Sequence, residues 1–107
     1  MRSFDTKSLT RQEKRPGFIG RFIHSDHMSV AHWEIKKGSL LERHSHPHEQ
    51  VTFILSGKIL FKTAAGDVTL ETGQGAVFTP EESHEGIVLE DSIVVDLFTP
   101  VREDFKD

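Results

Sequence analysis

Residues 44–55 read HSHPHEQVTFIL. Side chains alternate faces along a strand, so residues of one parity share a side. His44, His46, His48, Gln50, Thr52 and Ile54 are all even-numbered, whereas Val51, Phe53 and Leu55 take the other parity. If residues 43–55 are continuously extended, three imidazoles and a carboxamide line one face and an apolar row lines the other. Pro47 favours a local bulge, so the shared face is firmer for His44 with His46 than for Gln50. Two imidazoles one residue apart on a strand can converge on a single metal ion. A surface cluster would give the same pattern, and these residues alone leave both readings open.

On either side, short β-prone runs alternate with turn residues. Residues 18–23 follow the Pro16-Gly17 break. Residues 28–36 alternate, with Ser29, Ala31, Trp33 and Ile35 on one parity and Met28, Val30, His32 and Glu34 on the other; His32 is read on the inward parity, as a pocket wall. His24 and His27 read as ordinary strand or turn residues. The run 50–55 is followed by a Ser56-Gly57 turn and a second run, 58–63. A hairpin at residues 64–67 returns through 68–71, Gly73 and Gly75 bracket a turn, and a strand entering at Ala76 ends at Pro80. Residues 84–89 and 93–99 read as a final hairpin turning at Glu90-Asp91-Ser92. This spacing predicts an all-β sandwich or small barrel. Only residues 6–15 hint at a helix, and the charged tail 101–107 reads as an exposed flap.

The chain has 107 residues, enough for one domain with one core. The barrel core is expected over about residues 18–100, with a short N-terminal arm and a C-terminal tail. Hydrophobic residues at 36% and charged residues at 28% exclude a disordered chain and a helical membrane protein. A net charge of -4 argues against a nucleic-acid partner. With no cysteine, disulfides, zinc ribbons and thiol nucleophiles are excluded. No apolar run approaches the roughly 18 residues of a spanning helix. The N-terminus has no apolar segment of a secretory signal, so a cytoplasmic protein without membrane partners is expected.

In residues 93–98, IVVDLF, an aspartate interrupts an apolar run. Burying a carboxylate without a partner is costly. Asp96 therefore either makes a salt bridge or turn contact, or points into the barrel. A three-residue final turn would set Gly86 opposite Asp96 and His84 opposite Phe98, giving one inner surface. Arg102, just after Pro100, can reach back over the mouth toward an anionic group.

Gly38-(x5)-His44-x-His46-(x3)-Gln50-(x6)-Gly57, followed by Gly73 and His84, resembles the cupin superfamily of jelly-roll (double-stranded β-helix) barrels. The first cupin motif, G-x5-H-x-H-x3,4-E-x6-G, is met at every position but one. The second is degenerate: Thr79, Glu81 and Val88 stand where the family has proline, glycine and asparagine. HSHPHEQ together with DLFTPVREDF resembles the KdgF-type small cupins, which open the ring of 4,5-unsaturated uronates from pectin or alginate to linear keto sugar acids. That resemblance implies one divalent metal (Ni, Zn, Fe, Mn, Co or Cu) held by His44, His46, Gln50 and His84. It also implies Asp96 as general base or proton carrier, Phe98 shaping the pocket, Arg102 pairing with the carboxylate of an anionic sugar substrate, and a homodimer. Trp33 and the apolar N-terminal strand are candidates for burial in that dimer. His48 is expected at the barrel mouth.

Gln50, in place of the family's glutamate, leaves a divalent ion its full charge and cannot itself take a proton. This favours isomerisation over oxygen chemistry. The rival readings are a cupin dioxygenase acting on a small diketone or phenol, and a non-catalytic metal- or small-molecule-binding cupin.

Overall fold

Two long antiparallel strands organise the molecule, a computed structural model that describes residues 1–106. They are β5 (Glu49–Thr63) and β8 (His84–Thr99), paired from Glu49 opposite Thr99 to Thr63 opposite His84. The shorter strands are β1 (Gln12–Arg15), β2 (Phe18–His24), β3 (Ser29–Ile35), β4 (Leu40–His44), β6 (Gly66–Glu71) and β7 (Gly75–Phe78). One half of β8 pairs with β3 and the other with β4; one half of β5 pairs with β7 and the other with β6. The long strands thus bend from one sheet into the other, which closes an all-β jelly-roll barrel. No helix among the described residues is long and apolar enough to cross a membrane.

Two expected turns are strand interior. Ser56-Gly57 is an irregularity inside β5, where the register against β8 slips between Ile54–Val94 and Ile59–Val88. Gly57 sits at φ +110, and a Cβ there would lie 2.1 Å from Ser92 Oγ, so glycine meets both a backbone and a steric demand. The slip also switches the buried positions of β5 from Gln50, Thr52 and Ile54 to Ile59 and Phe61. The second expected turn, Glu90-Asp91-Ser92, continues β8 because neighbours satisfy its polar groups. Glu90 pairs with Lys58 at 3.3 Å, Asp91 accepts from the Lys37 backbone N–H, and Ser92 accepts from that of Lys58. There is therefore no final hairpin. Asp96 lies opposite Ala31 and Thr52, Phe98 opposite Ser29 and Gln50, and His84 opposite His44 and Thr63.

The helical hint at residues 6–15 resolves into a 3-10 turn at Thr6–Ser8 and strand β1, which pairs with β2. An edge strand with backbone partners wins over a short polar segment of weak helical period. In β3 the buried parity is Ser29, Ala31, Trp33 and Ile35, so His32 faces outward and forms no pocket wall. Trp33 and the apolar residues Phe18, Ile19 and Phe22 of β2, expected to bury in a dimer, are already buried within the chain. The indole is buried and packs edge-on against Phe18 (6.1 Å), Phe22 (5.3 Å) and Phe105 (5.9 Å). The tail is not a free flap either: Phe105 packs on Phe22 at 4.7 Å and on Phe98 at 5.6 Å. Asp107 lies outside the described residues.

Candidate metal centre

Residues 43–55 are not continuously extended. β4 ends at His44 and β5 begins at Glu49, with Pro47 in the bend between them. Convergence survives because the bend brings His46 back beside Gln50. The facing positions of β4 and β8 bring His44 against His84, with ring centroids 4.4 Å apart. His44, His46 and His84 each offer a ring nitrogen within 4.8 Å of the others.

The tautomers are fixed by backbone carbonyls, which only accept. Nδ1–H of His44 donates to Glu42 O (2.9 Å), that of His46 to His48 O (3.1 Å) and that of His84 to Glu82 O (3.0 Å). Each Nε2 is left with a lone pair. Burial keeps all three rings neutral: it pushes His84 down to about 4 and His44 and His46 below their ordinary value, with the positive charge of Arg102 adding to the effect at His46.

Gln50 adds an oxygen donor beside the three ring nitrogens. Its Oε1 lies 2.9 Å from His46 Nε2, while its Nε2 donates to Thr52 Oγ1 at 2.9 Å. Two acceptors therefore face each other. Turning the amide over would relieve His46 but would need the Thr52 proton, leaving Thr52 Oγ1 and Asp96 Oδ1 2.6 Å apart unless Asp96 is protonated. A cation accepting both lone pairs resolves the conflict in the orientation present, so this donor set fits a divalent transition metal. His48 stands outside the three-histidine group. Its Nδ1 is buried without a partner among the described residues, and its ring packs edge-on against His46 and Phe98.

Beside these donors lies Asp96. Thr52 Oγ1 donates to its Oδ1 at 2.6 Å and Trp33 Nε1 to its Oδ2 at 3.1 Å. No salt bridge reaches it among the described residues. Burial outweighs these donors and pushes its carboxyl up to about 6. His44, Gln50, His84, Asp96, Phe98 and Arg102 all line one cavity of about 80 Å³, and His46 packs behind them against Phe98. Arg102 is already engaged: its guanidinium stacks over Phe98 (4.8 Å) and Phe105 (4.1 Å) and donates to both oxygens of Asp104, at 2.9 and 2.7 Å.

Sequence reasoning assigns Thr52 only a face, and assigns Trp33, Lys14, Arg15, Asp104 and Phe105 no role at the site. The parity of Thr52 with Gln50 is its available signal. Lys14 and Arg15 are hidden inside the segment that hints at a helix.

Residues 31–99 match the family described as the cupin domain. No curated protein matches the chain in sequence. Among solved structures, KdgF from Halomonas sp. is similar at a TM-score of 0.89 and 24% identity, over 96% of this chain and 98% of that one. An RmlC-like cupin from Shewanella frigidimarina NCIMB 400 gives 0.89 and 22%, over 97% and 94%. Ectoine synthase from P. lautus gives 0.83 and 13%, over 95% and 80%. At these identities the structures establish likeness of fold.

Proposed function

The chain belongs to the cupin domain family, and from that premise we propose that it holds one divalent metal ion and opens the ring of 4,5-unsaturated uronates. The observation that carries the reading is Asp96, a buried carboxylate tied through Thr52 to Gln50, on the wall of the cavity that His44 and His84 share. His44, His46 and His84 through Nε2 and Gln50 through Oε1 would hold the ion. When bound, it supplies positive charge that stabilises oxyanions at neutral pH.

Asp96 takes the proton of the anomeric hydroxyl. The C1–O bond to the ring oxygen breaks as the C1 carbonyl forms, and the electron pair leaves on the former ring oxygen as an enolate. Protonation of that enolate at C4 gives the ketone, so the net change is an isomerisation in which one proton moves from oxygen to carbon. A carboxyl near 6 suits both halves of that transfer. Thr52 and Trp33 hold its two oxygens in place, Phe98 walls the cavity, and Arg102 places positive charge at the mouth for the substrate carboxylate. Halomonas KdgF, similar in fold over nearly its whole length, supports this choice of substrate class. A cytoplasmic location belongs to the same proposal.

The test is a time course with freshly generated 4,5-unsaturated galacturonate, following loss of the double-bond absorbance against the spontaneous rate. Metal-loaded protein should accelerate the loss, and metal-stripped protein and His46→Ala should not. No acceleration with any common divalent metal would overturn the proposal. Metal-dependent oxygen uptake with a diketone or phenol would put the dioxygenase reading in its place.

A further inference from the structure

Lys14 and Arg15 are consecutive on an edge strand, where regular pleating would point them to opposite faces. Yet both line the cavity that holds Asp96 and Arg102. The cause is a bulge in β1: Glu13 pairs with Ile19 and Arg15 with Phe18, which leaves Lys14 as the extra residue. Bulges of this kind re-aim side chains, and they concentrate at barrel rims and beside functional sites.

The two arginines of the cavity differ in what they already bind. The fork of Arg102 is filled by both oxygens of Asp104. Arg15 is half-buried and stacks over Phe18 at 5.6 Å, and among the described residues it makes no ion pair. Its guanidinium is partly desolvated, with Glu42 acting on it only at longer range and Arg102 adding like charge. A guanidinium in that position presents an unused bidentate donor face to a cavity whose lining includes the cations Lys14, Arg15 and Arg102.

We propose that Arg15, re-aimed by the β1 bulge, is a carboxylate-binding residue of this site and acts with Arg102 to select ligands that carry a carboxylate. The inference rests on the proposed function for the class of ligand, an anionic sugar, but not on turnover. It assigns β1 a part in ligand recognition and gives a use to a cavity guanidinium that has no ion pair among the described residues.

The experiment compares binding of D-galacturonate and D-galactose, the same ring with and without the carboxylate. Metal-loaded wild type, Arg15→Gln and Arg15→Lys are titrated and followed through the fluorescence of Trp33, the one tryptophan. Calorimetry runs in parallel, and circular dichroism and metal content serve as checks on folding. Wild type should prefer galacturonate. Arg15→Gln should weaken galacturonate binding at least about tenfold and leave galactose unchanged, and Arg15→Lys should restore part of the preference. Equal galacturonate binding by wild type and Arg15→Gln would overturn the inference, as would no preference in wild type. Carboxylate selection that depends on Arg15, without any ring opening, would instead remove the proposed reaction and leave this inference standing. Ring opening with kcat/KM unchanged in Arg15→Gln would do the reverse.

Discussion

Replacing Asp96 with asparagine should stabilise the metal-free protein, and the gain should depend on pH in a defined way. When unfolded, Asp96 ionises at its ordinary 3.8; when folded, burial moves it up to about 6. Between those values the folded chain keeps a proton that the unfolded chain has released, so this residue removes stability as pH rises. At about 1.4 kcal/mol per pH unit, the loss reaches about 3 kcal/mol and is complete above pH 6. The amide of the Asp96→Asn variant would keep the shape and still offer Trp33 an acceptor, but would carry no buried charge. The assay is urea denaturation of metal-stripped wild type and Asp96→Asn at pH 4.5 and 7.5. His44, His46 and His84 titrate in the opposite sense: their folded values are depressed, so they lose stability as pH falls below 6.5. That contribution is common to both proteins and cancels in the difference. The advantage of the variant should grow by about 2 kcal/mol from pH 4.5 to 7.5, while ring opening is lost. An advantage equal at the two pH values would refute the argument that burial holds this carboxyl up.

Gln50→Glu should hold metal more tightly in chelator competition and turn over at least about tenfold more slowly, because a carboxylate donor cuts the charge left on the ion; equal or faster turnover would contradict the role given to the neutral amide. Gly57→Ala should destabilise by at least about 2 kcal/mol in urea denaturation, since the new Cβ meets Ser92 and the φ of +110 is strained; a neutral effect would place the β5 slip elsewhere. The expected homodimer should use the outer face on which Phe53, Leu55 and Val77 stand exposed. Light scattering should then give a dimer for wild type and a monomer for Phe53→Asp at unchanged metal content, and a monomeric wild type would contradict it.

The all-β architecture was legible because alternation and turn residues both report local geometry, and β2, β3, β6 and β7 fall where those signals are. The two long strands were not. Ser56-Gly57 and Glu90-Asp91-Ser92 carry turn chemistry, yet each continues a strand because the other supplies its partners: Gly57 packs on Ser92, and Lys58 pairs with Glu90. Such mutual satisfaction is a tertiary fact that a local reading cannot contain. The sequence predicts the inner surface shared by His84, Asp96 and Phe98 through a hairpin that the fold does not contain. It is nevertheless present, because the three are even-numbered on one continuous strand. His44, His46 and Gln50 met despite the break at Pro47, through the fold of β4 against β8 rather than through parity alone. The unused fork of Arg15 depends on one extra residue in an edge strand, which no periodicity reveals.

The proposed metal centre is one ion held by three imidazoles and a carboxamide. Equilibrium dialysis of the full chain against Ni, Zn, Fe, Mn, Co and Cu in turn, followed by elemental analysis, tests it directly. The arrangement of His44, His46, His84 and Gln50 predicts about one ion per chain for at least one metal, lost in His46→Ala and in His84→Ala. A wild-type chain that binds none of these metals, or binds them equally well without His46 and His84, would contradict it.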